Sequence, residues 1–308
     1  MLGTDNTPIV VFTYNRLETL QQLILSLNNC EEAKESELYI FSDGPKSPAD
    51  NMLIIKVREY IKTITGFKQV TTFNSEVNKG LAKSIIGGVT TMFERYNSLI
   101  VLEDDLQVSK NFLRYMNESL CYYENEKRVF SISGYNIPMS ESLNYKYDTY
   151  LTFRASSWGW ASWKDRWQII DWEVKDFKQF RKNPEKIRAF NRAGSDMFGM
   201  LERQQEGKID SWAIRWCFHQ YKNNYYSVYP MVSKIKNGGF NEMASNSHSY
   251  NRYDSMLDDG LQTHFKFPPH LEENKELLTL FSSFYSIRSR ITGRIKTFLY
   301  LRGWLKNN

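Results

Sequence analysis

Cysteine is scarce in this chain of 308 residues: Cys30, Cys121 and Cys217 are widely spaced, with no CxxC and no Cys/His pattern. So small and odd a set excludes a disulfide framework and a zinc site, and it reads as free thiols in a reducing compartment. No window reaches about 18 uninterrupted apolar residues, so no membrane-spanning helix is expected. The opening MLGTDNTPIVVFTYNR lacks a charged leader and a long apolar core, so no signal peptide is expected, and a cytoplasmic protein is. Neither sign of charge dominates: 40 Lys and Arg against 35 Asp and Glu leave +5, which gives no argument for nucleic acid. Internal repeats and a GxxxxGK[ST] phosphate loop are also missing.

What remains is a composition that folds: 41% hydrophobic and 24% charged, in a length suited to one large α/β domain with an appendage. Up to about residue 135 the pattern alternates. PIVVFT, LYIFS, FKQVTTF, LIVL and VFSISG read as strands. Between them, Leu17, Leu20, Leu23, Ile24 and Leu27, then Leu81, Ile85, Val89, Met92 and Phe93, recur at helical spacing. Such alternation predicts a parallel sheet covered on both faces, with ligands at the carboxyl ends of its strands. Residues 135–175 are aromatic-rich and read as irregular; helices are expected near 184–193, 195–206 and 210–221, and a strand at 225–232. From about Glu276 an apolar set is interleaved with Arg288, Arg290, Arg294, Lys296, Arg302 and Lys306, with no acid following. That is the pattern of a basic amphipathic helix, either lying on a membrane surface or docked on the domain with its charges in water.

The buried run LIVL ends on Glu103-Asp104-Asp105. A solvated turn is one explanation. A hard cation is the other, because carboxylates suit Mg²⁺ or Mn²⁺, which bring substrate phosphates with them. Thr13-Tyr14-Asn15-Arg16, Asp43 and Asn78-Lys79-Gly80 fall on the same rim, the last opening a helix whose N-terminus attracts anions.

In this order VVFTYNR, FSDGP, NKGLAKSI and LIVLEDDL resemble the GT-A nucleotide-sugar glycosyltransferases, most closely bacterial family-2-type and N-acetylglucosaminyltransferase-like enzymes. RASSWGWASW, KIDSWAIRW and NGGFNEMASNSH extend the resemblance more thinly. It implies a GT-A, Rossmann-like, mostly parallel sheet. Residues 1–135 would be the nucleotide-sugar half, 136–270 the aromatic-rich acceptor half of the same domain, and 271–308 the basic amphipathic helix. It implies that Thr13, Asn15 and Arg16 line the nucleotide pocket and that Asp43 meets the base, a uracil. Asn78, Lys79 and Gly80 would lie near the ribose and diphosphate. Asp105 would bind Mn²⁺ or Mg²⁺, with His248 able to reach the metal, and Glu103 and Asp104 near the donor. Trp158, Gly159, Trp160 and Trp212 would shape the sugar cleft, and Asp210 would match the catalytic base, with Glu202 and Glu206 as substitutes.

The residue types suit that chemistry in their own right. A metal can neutralise the charge growing on a departing diphosphate, and Lys79 or Arg154 can assist. One carboxylate suffices to deprotonate the acceptor hydroxyl and invert the anomeric centre. Asp210 reads equally well as an N-cap, and the tryptophans as core. A metal-dependent inverting transferase is therefore expected, with a UDP-sugar donor and a glycan or lipid-linked oligosaccharide acceptor. It would serve bacterial surface polysaccharide assembly, peripheral at the inner face of the cell membrane through its tail. Two readings compete: a sugar-nucleotide-forming nucleotidyltransferase, though the first loop lacks that chemistry's glycines, and a non-catalytic glycan-binding protein. A glycosidase needs carboxylates flanking a sugar, which adjacent acids cannot provide.

Overall fold

The computed structural model describes residues 6–139, 144–238, 250–302 and 304. The first part is strand–helix alternation: β1 (Ile9–Thr13), α1 (Leu17–Asn28), β2 (Glu37–Ser42), α2 (Asn51–Ile61), β3 (Gln69–Asn74), α3 (Leu81–Arg95) and β4 (Ser98–Glu103). There follow β5 (Leu106–Val108), α4 (Phe112–Tyr123), β6 (Val129–Ser133), β7 (Thr149–Thr152) and β8 (Trp160–Trp163). Short helices α5 (Lys164–Trp167), α6 (Phe177–Phe180) and α7 (Pro184–Phe190) lead to α8 (Met197–Gln205) and α9 (Trp212–Lys222). The chain continues through β9 (Tyr226–Pro230), β10 (Ile235–Asn237), α10 (Lys275–Phe284) and α11 (Ile287–Leu301).

Eight strands form one sheet in the order β3-β2-β1-β4-β8-β6-β9-β7. The four strands β3-β2-β1-β4 run parallel. Strand β8 is antiparallel to both β4 and β6, and β7 is antiparallel to β9. The central strands are uniformly apolar because both faces are covered: along β1, Ile9 and Val11 enter one core layer, Val10 and Phe12 the other. The first layer holds α1, α2 and α4, and the second α3 and the aromatic helix α9. Each fully buried Leu, Ile, Val or Phe side chain contributes about 1.5–3 kcal/mol.

Two expectations are corrected. Residues 135–175 are not irregular throughout, since they supply β7 and β8. The tail is two helices rather than one: α10 ends at Phe284, and α11 restarts after Ser286, whose hydroxyl accepts the Ser289 N–H. Helix α10 docks on the sheet through buried Leu277 and Phe281, whereas α11 has no buried residue. Among the described residues, no helix is long and apolar enough to cross a membrane, and all three cysteines are free.

Candidate active site

Parallel pairing of β1 with β4 places Phe12 opposite Glu103, so the loops after both strands meet. Asp104 is 2% exposed there. One of its oxygens accepts the Thr13 hydroxyl at 2.8 Å and the Tyr14 N–H at 3.2 Å, and Arg16 donates to the other. Arg16 also donates to Asp105 Oδ2 at 3.1 Å. Burial raises the Asp104 carboxyl above its ordinary range, with Arg16 the main opposing influence. Glu103 is pushed up to about 8, first by burial and then by Asp105 and Asp104. One guanidinium thus pairs with two aspartates, while Glu103 is adjacent to them with no ion-pair partner among the described residues.

The donor set fits a divalent ion. Asp104 is saturated by three donors, while Asp105 is bound by Arg16 alone and Glu103 has no hydrogen-bond partner among the described residues. No group of three His, Cys, Asp or Glu forms a ready metal cage among the described residues. Mg²⁺ and Mn²⁺ do not need one, because they are commonly held by one or two carboxylates together with substrate phosphates. Asp105 would be the residue to hold it, with Glu103 near in sequence. Strand β10 pairs antiparallel with β5, and the Gly238 N–H donates to the Asp105 carbonyl at 2.7 Å. His248 lies outside the described residues.

The neighbouring rim is built around Asp43. Its carboxylate accepts the N–H groups of Gly44 and Lys79, both at 2.9 Å, and of Gly80 at 3.1 Å. The amides expected to meet a diphosphate before α3 are therefore occupied by an acid of the chain itself, and Asp43 welds two rim loops. Asn78 donates to the Gly44 carbonyl at 2.9 Å. Gly44 is required because a Cβ there would stand 2.4 Å from the Val77 backbone. Arg58 ties the same loops by donating to the carbonyls of Asp43 and Ser75. Sequence reasoning missed Arg58; its contacts are long-range and leave no local signal. Asn15 faces Asp50, to which it donates at 3.1 Å, and Lys79 is exposed.

Asp210 reaches this rim from the other half of the chain: its Oδ2 is 3.7 Å from where a Cβ on Gly80 would stand. It is not the cap of α9, since Ser211 accepts the Ile214 N–H. Its side chain is 60% exposed, with Arg215 at 3.8 Å. Glu202 and Glu206 instead pair with Arg181 and Lys208.

Several expected cleft residues lie elsewhere. Trp160 and Trp212 are core: Trp160 is 1% exposed and packs on Trp167, Trp212 and Trp216, with centroids 4.6–5.5 Å away. No ring face is left for a sugar. The space beside Gly159 is filled, as a Cβ would stand 2.6 Å from Ile235. Arg154 is not aimed at a leaving group: both terminal nitrogens donate to Asp196 at 2.9 Å. Only Trp158 keeps a partly open position, edge-on to Tyr135 at 4.7 Å.

Residues 9–195 match the family model described as glycosyl transferase family 2. A similar solved structure is that of GalNAc-T7 with UDP, GalNAc and Mn²⁺, at 12% identity and a TM-score of 0.50, covering 76% of this chain and 44% of that one. Weaker matches are the mannosyltransferase PcManGT from Pyrobaculum calidifontis with GDP-Man and Mn²⁺ (9% identity, TM-score 0.35, 53% and 46% covered) and TarS of S. aureus (12%, 0.39, 74% and 37%). At such identities the GalNAc-T7 likeness is one of fold, and the two lower scores carry no argument. The chain spans less than half the length of each of these three chains. With more than half of its own length matched and a mostly parallel sheet covered by helices, the chain belongs to glycosyl transferase family 2 and has the GT-A fold.

Proposed function

We propose that the protein transfers a sugar from a nucleotide donor, a UDP-sugar, to a glycan acceptor with inversion at the anomeric carbon. The observation that carries this reading is the acidic corner of Glu103, Asp104 and Asp105, bridged by Arg16, at the carboxyl end of β4, the rim where open α/β sheets bind ligands. A bound Mn²⁺ or Mg²⁺ would supply charge neutralisation for the diphosphate. Asp104, held by Thr13, Tyr14 and Arg16, keeps the corner rigid. Asp105 would hold the ion, and Lys79 stands exposed just before α3, where it would meet the diphosphate. Asp210 approaches from the opposite half and takes the proton of the acceptor hydroxyl. That oxygen bonds to the anomeric carbon as the sugar–phosphate bond breaks, its electron pair leaving with the diphosphate. Neither competing reading calls for an exposed carboxylate on this rim, where Asp210 stands beside Gly80.

The tail supports an acceptor at a membrane surface, a lipid-linked oligosaccharide of bacterial surface polysaccharide assembly on the inner face. Ile287, Ile291, Ile295 and Phe298 are all at least half exposed along one stripe of α11, among Arg288, Arg290, Arg294 and Arg302.

Thermal denaturation with UDP and Mn²⁺ tests the transferase reading. Stabilisation of about 2.7 kcal/mol is expected at a hundredfold excess over the dissociation constant. It should vanish in Asp105→Ala and persist in Asp210→Asn, which should lose transfer. No response to UDP, GDP, dTDP or CMP would sink the reading.

A further inference from the structure

A cavity of about 220 Å³ is bounded by Ser211 at the start of α9, by α8, by the loop between β7 and β8, and by the α10–α11 junction. Its walls carry the rings of Tyr135, Trp158, Tyr229, Tyr253 and Tyr285, and Ser156, Ser157 and Ser211 add hydroxyls. Among the described residues, the one Lys, Arg, Asp or Glu in the lining is Arg154, and its charge is spent. Its terminal nitrogens each donate to Asp196 at 2.9 Å, and its guanidinium lies 4.0 Å from the centroid of the Tyr285 ring. Burial pushes the Cys217 thiol in the same wall up to about 11, so it is uncharged at neutral pH.

Each property narrows the occupant. A phosphate or a uronic acid entering here would lose its water without gaining a free cation, which disfavours it. A purely apolar ligand would make no use of the hydroxyls in the lining, of which Ser156 and Ser211 already accept the N–H groups of Trp158 and Ile214. A sugar ring offers C–H faces for the aromatic walls and hydroxyls for the serines. The volume is below the roughly 300–1,000 Å³ of pockets that take drug-sized ligands, so it suits a single ring. Ser211 lines the cavity and is the residue after Asp210, which ties the cavity to the segment that carries that carboxylate. We propose that this cavity binds the terminal sugar of the acceptor and selects an uncharged one. The assignment to the acceptor rests on the transferase reading above, and the charge selection rests on the Arg154–Asp196 pair. Tyr285 couples the selection to the tail, since its carbonyl accepts the Ser195 N–H and hydroxyl while its ring covers Arg154.

The test is saturation-transfer NMR on the full chain with saturating UDP and Mn²⁺. The probes are the methyl glycosides of glucose, galactose and N-acetylglucosamine, and methyl glucuronide. At least one neutral glycoside should bind, and the glucuronide should be about tenfold weaker or more. Ala213→Phe places a ring in the cavity and should abolish the signal while UDP stabilisation remains. Met200→Trp fills it from α8 and serves if the first variant does not fold. Equal binding of the glucuronide, absence of any neutral signal, or survival of the signal in the filled variants overturns the proposal. UDP stabilisation without any glycoside signal overturns this inference alone. Loss of UDP stabilisation in the unmodified protein overturns the transferase reading first.

Discussion

Replacing Arg16 with Met isolates the electrostatics of the acidic corner. The Arg16 side chain is 31% exposed, and those of its partners Asp104 and Asp105 are 3% and 19% exposed. Without the guanidinium, Asp104 keeps the Thr13 hydroxyl and Tyr14 amide but loses its one counter-charge, with Asp105 and Glu103 adjacent. Removing one partner of a buried ion pair costs about 3–5 kcal/mol. Arg16 is partly solvated, so the lower end, about 3 kcal/mol, applies. Urea denaturation in EDTA at neutral pH should report that loss. At mildly acidic pH the penalty should shrink, because the Asp104 carboxyl, which burial raises, takes up a proton. Mn²⁺ alone should then stabilise the variant more than the unmodified protein, since the ion supplies charge that Arg16 otherwise provides. A loss below about 0.5 kcal/mol, the range of ordinary surface substitutions, would refute the reasoning. So would a smaller response to Mn²⁺ in the variant.

Two further outcomes follow from packing and burial. Gly159 has φ +56°, and a Cβ there would meet Ile235 at 2.6 Å and Leu102 at 3.2 Å. Gly159→Ala should cost about 2 kcal/mol or more in chemical denaturation, from left-handed strain plus overpacking; a change below about 0.5 kcal/mol would contradict this contact. His219 is held down at about 4, first by burial and then by Lys222. Its folded value lies below its unfolded one, so the unfolded chain takes up the proton first. Stability from the neutral imidazole is complete above about pH 6.5 and falls by up to about 3 kcal/mol as pH drops towards 4. His219→Phe should flatten that part of the stability–pH curve, and an unchanged slope would reject the assignment.

The sequence made the four parallel strands and their rim legible because their periodicity is local. Strand β8 was not, because Trp160–Trp163 is buried on both faces and has no alternation to read. Trp160 therefore resembles a binding wall in the sequence, whereas its position between two strands makes it core. The acidic corner could be placed on the rim from the end of LIVL, but Arg16 bridging two acids depends on β1 lying beside β4. Asp43 was assigned to a base because nothing local reveals that its carboxylate caps amides 36 and 37 residues away. Asp210 could be read as a cap until Ser211 was seen to hold that position. The break in the tail was written as Ser286, a cap residue hidden inside an otherwise continuous apolar pattern.

The interleaving of the sheet has a consequence for how the chain is made. Strand β4 finds one neighbour in β1, already synthesised, but its other neighbour is β8, and β6 and β7 are joined only through β9. At roughly 5–20 residues per second, the stretch between β4 and β8 keeps the strand carrying the acids open along one edge for some seconds. An exposed apolar edge is a template for pairing with another chain, so this is the window in which a nascent molecule is most vulnerable to aggregation. The same interleaving means that the stretch matching the family, residues 9–195, is a unit of descent but not a unit of folding: it ends before β9. Cut there, it would leave β6 and β7 without the strand that lies between them.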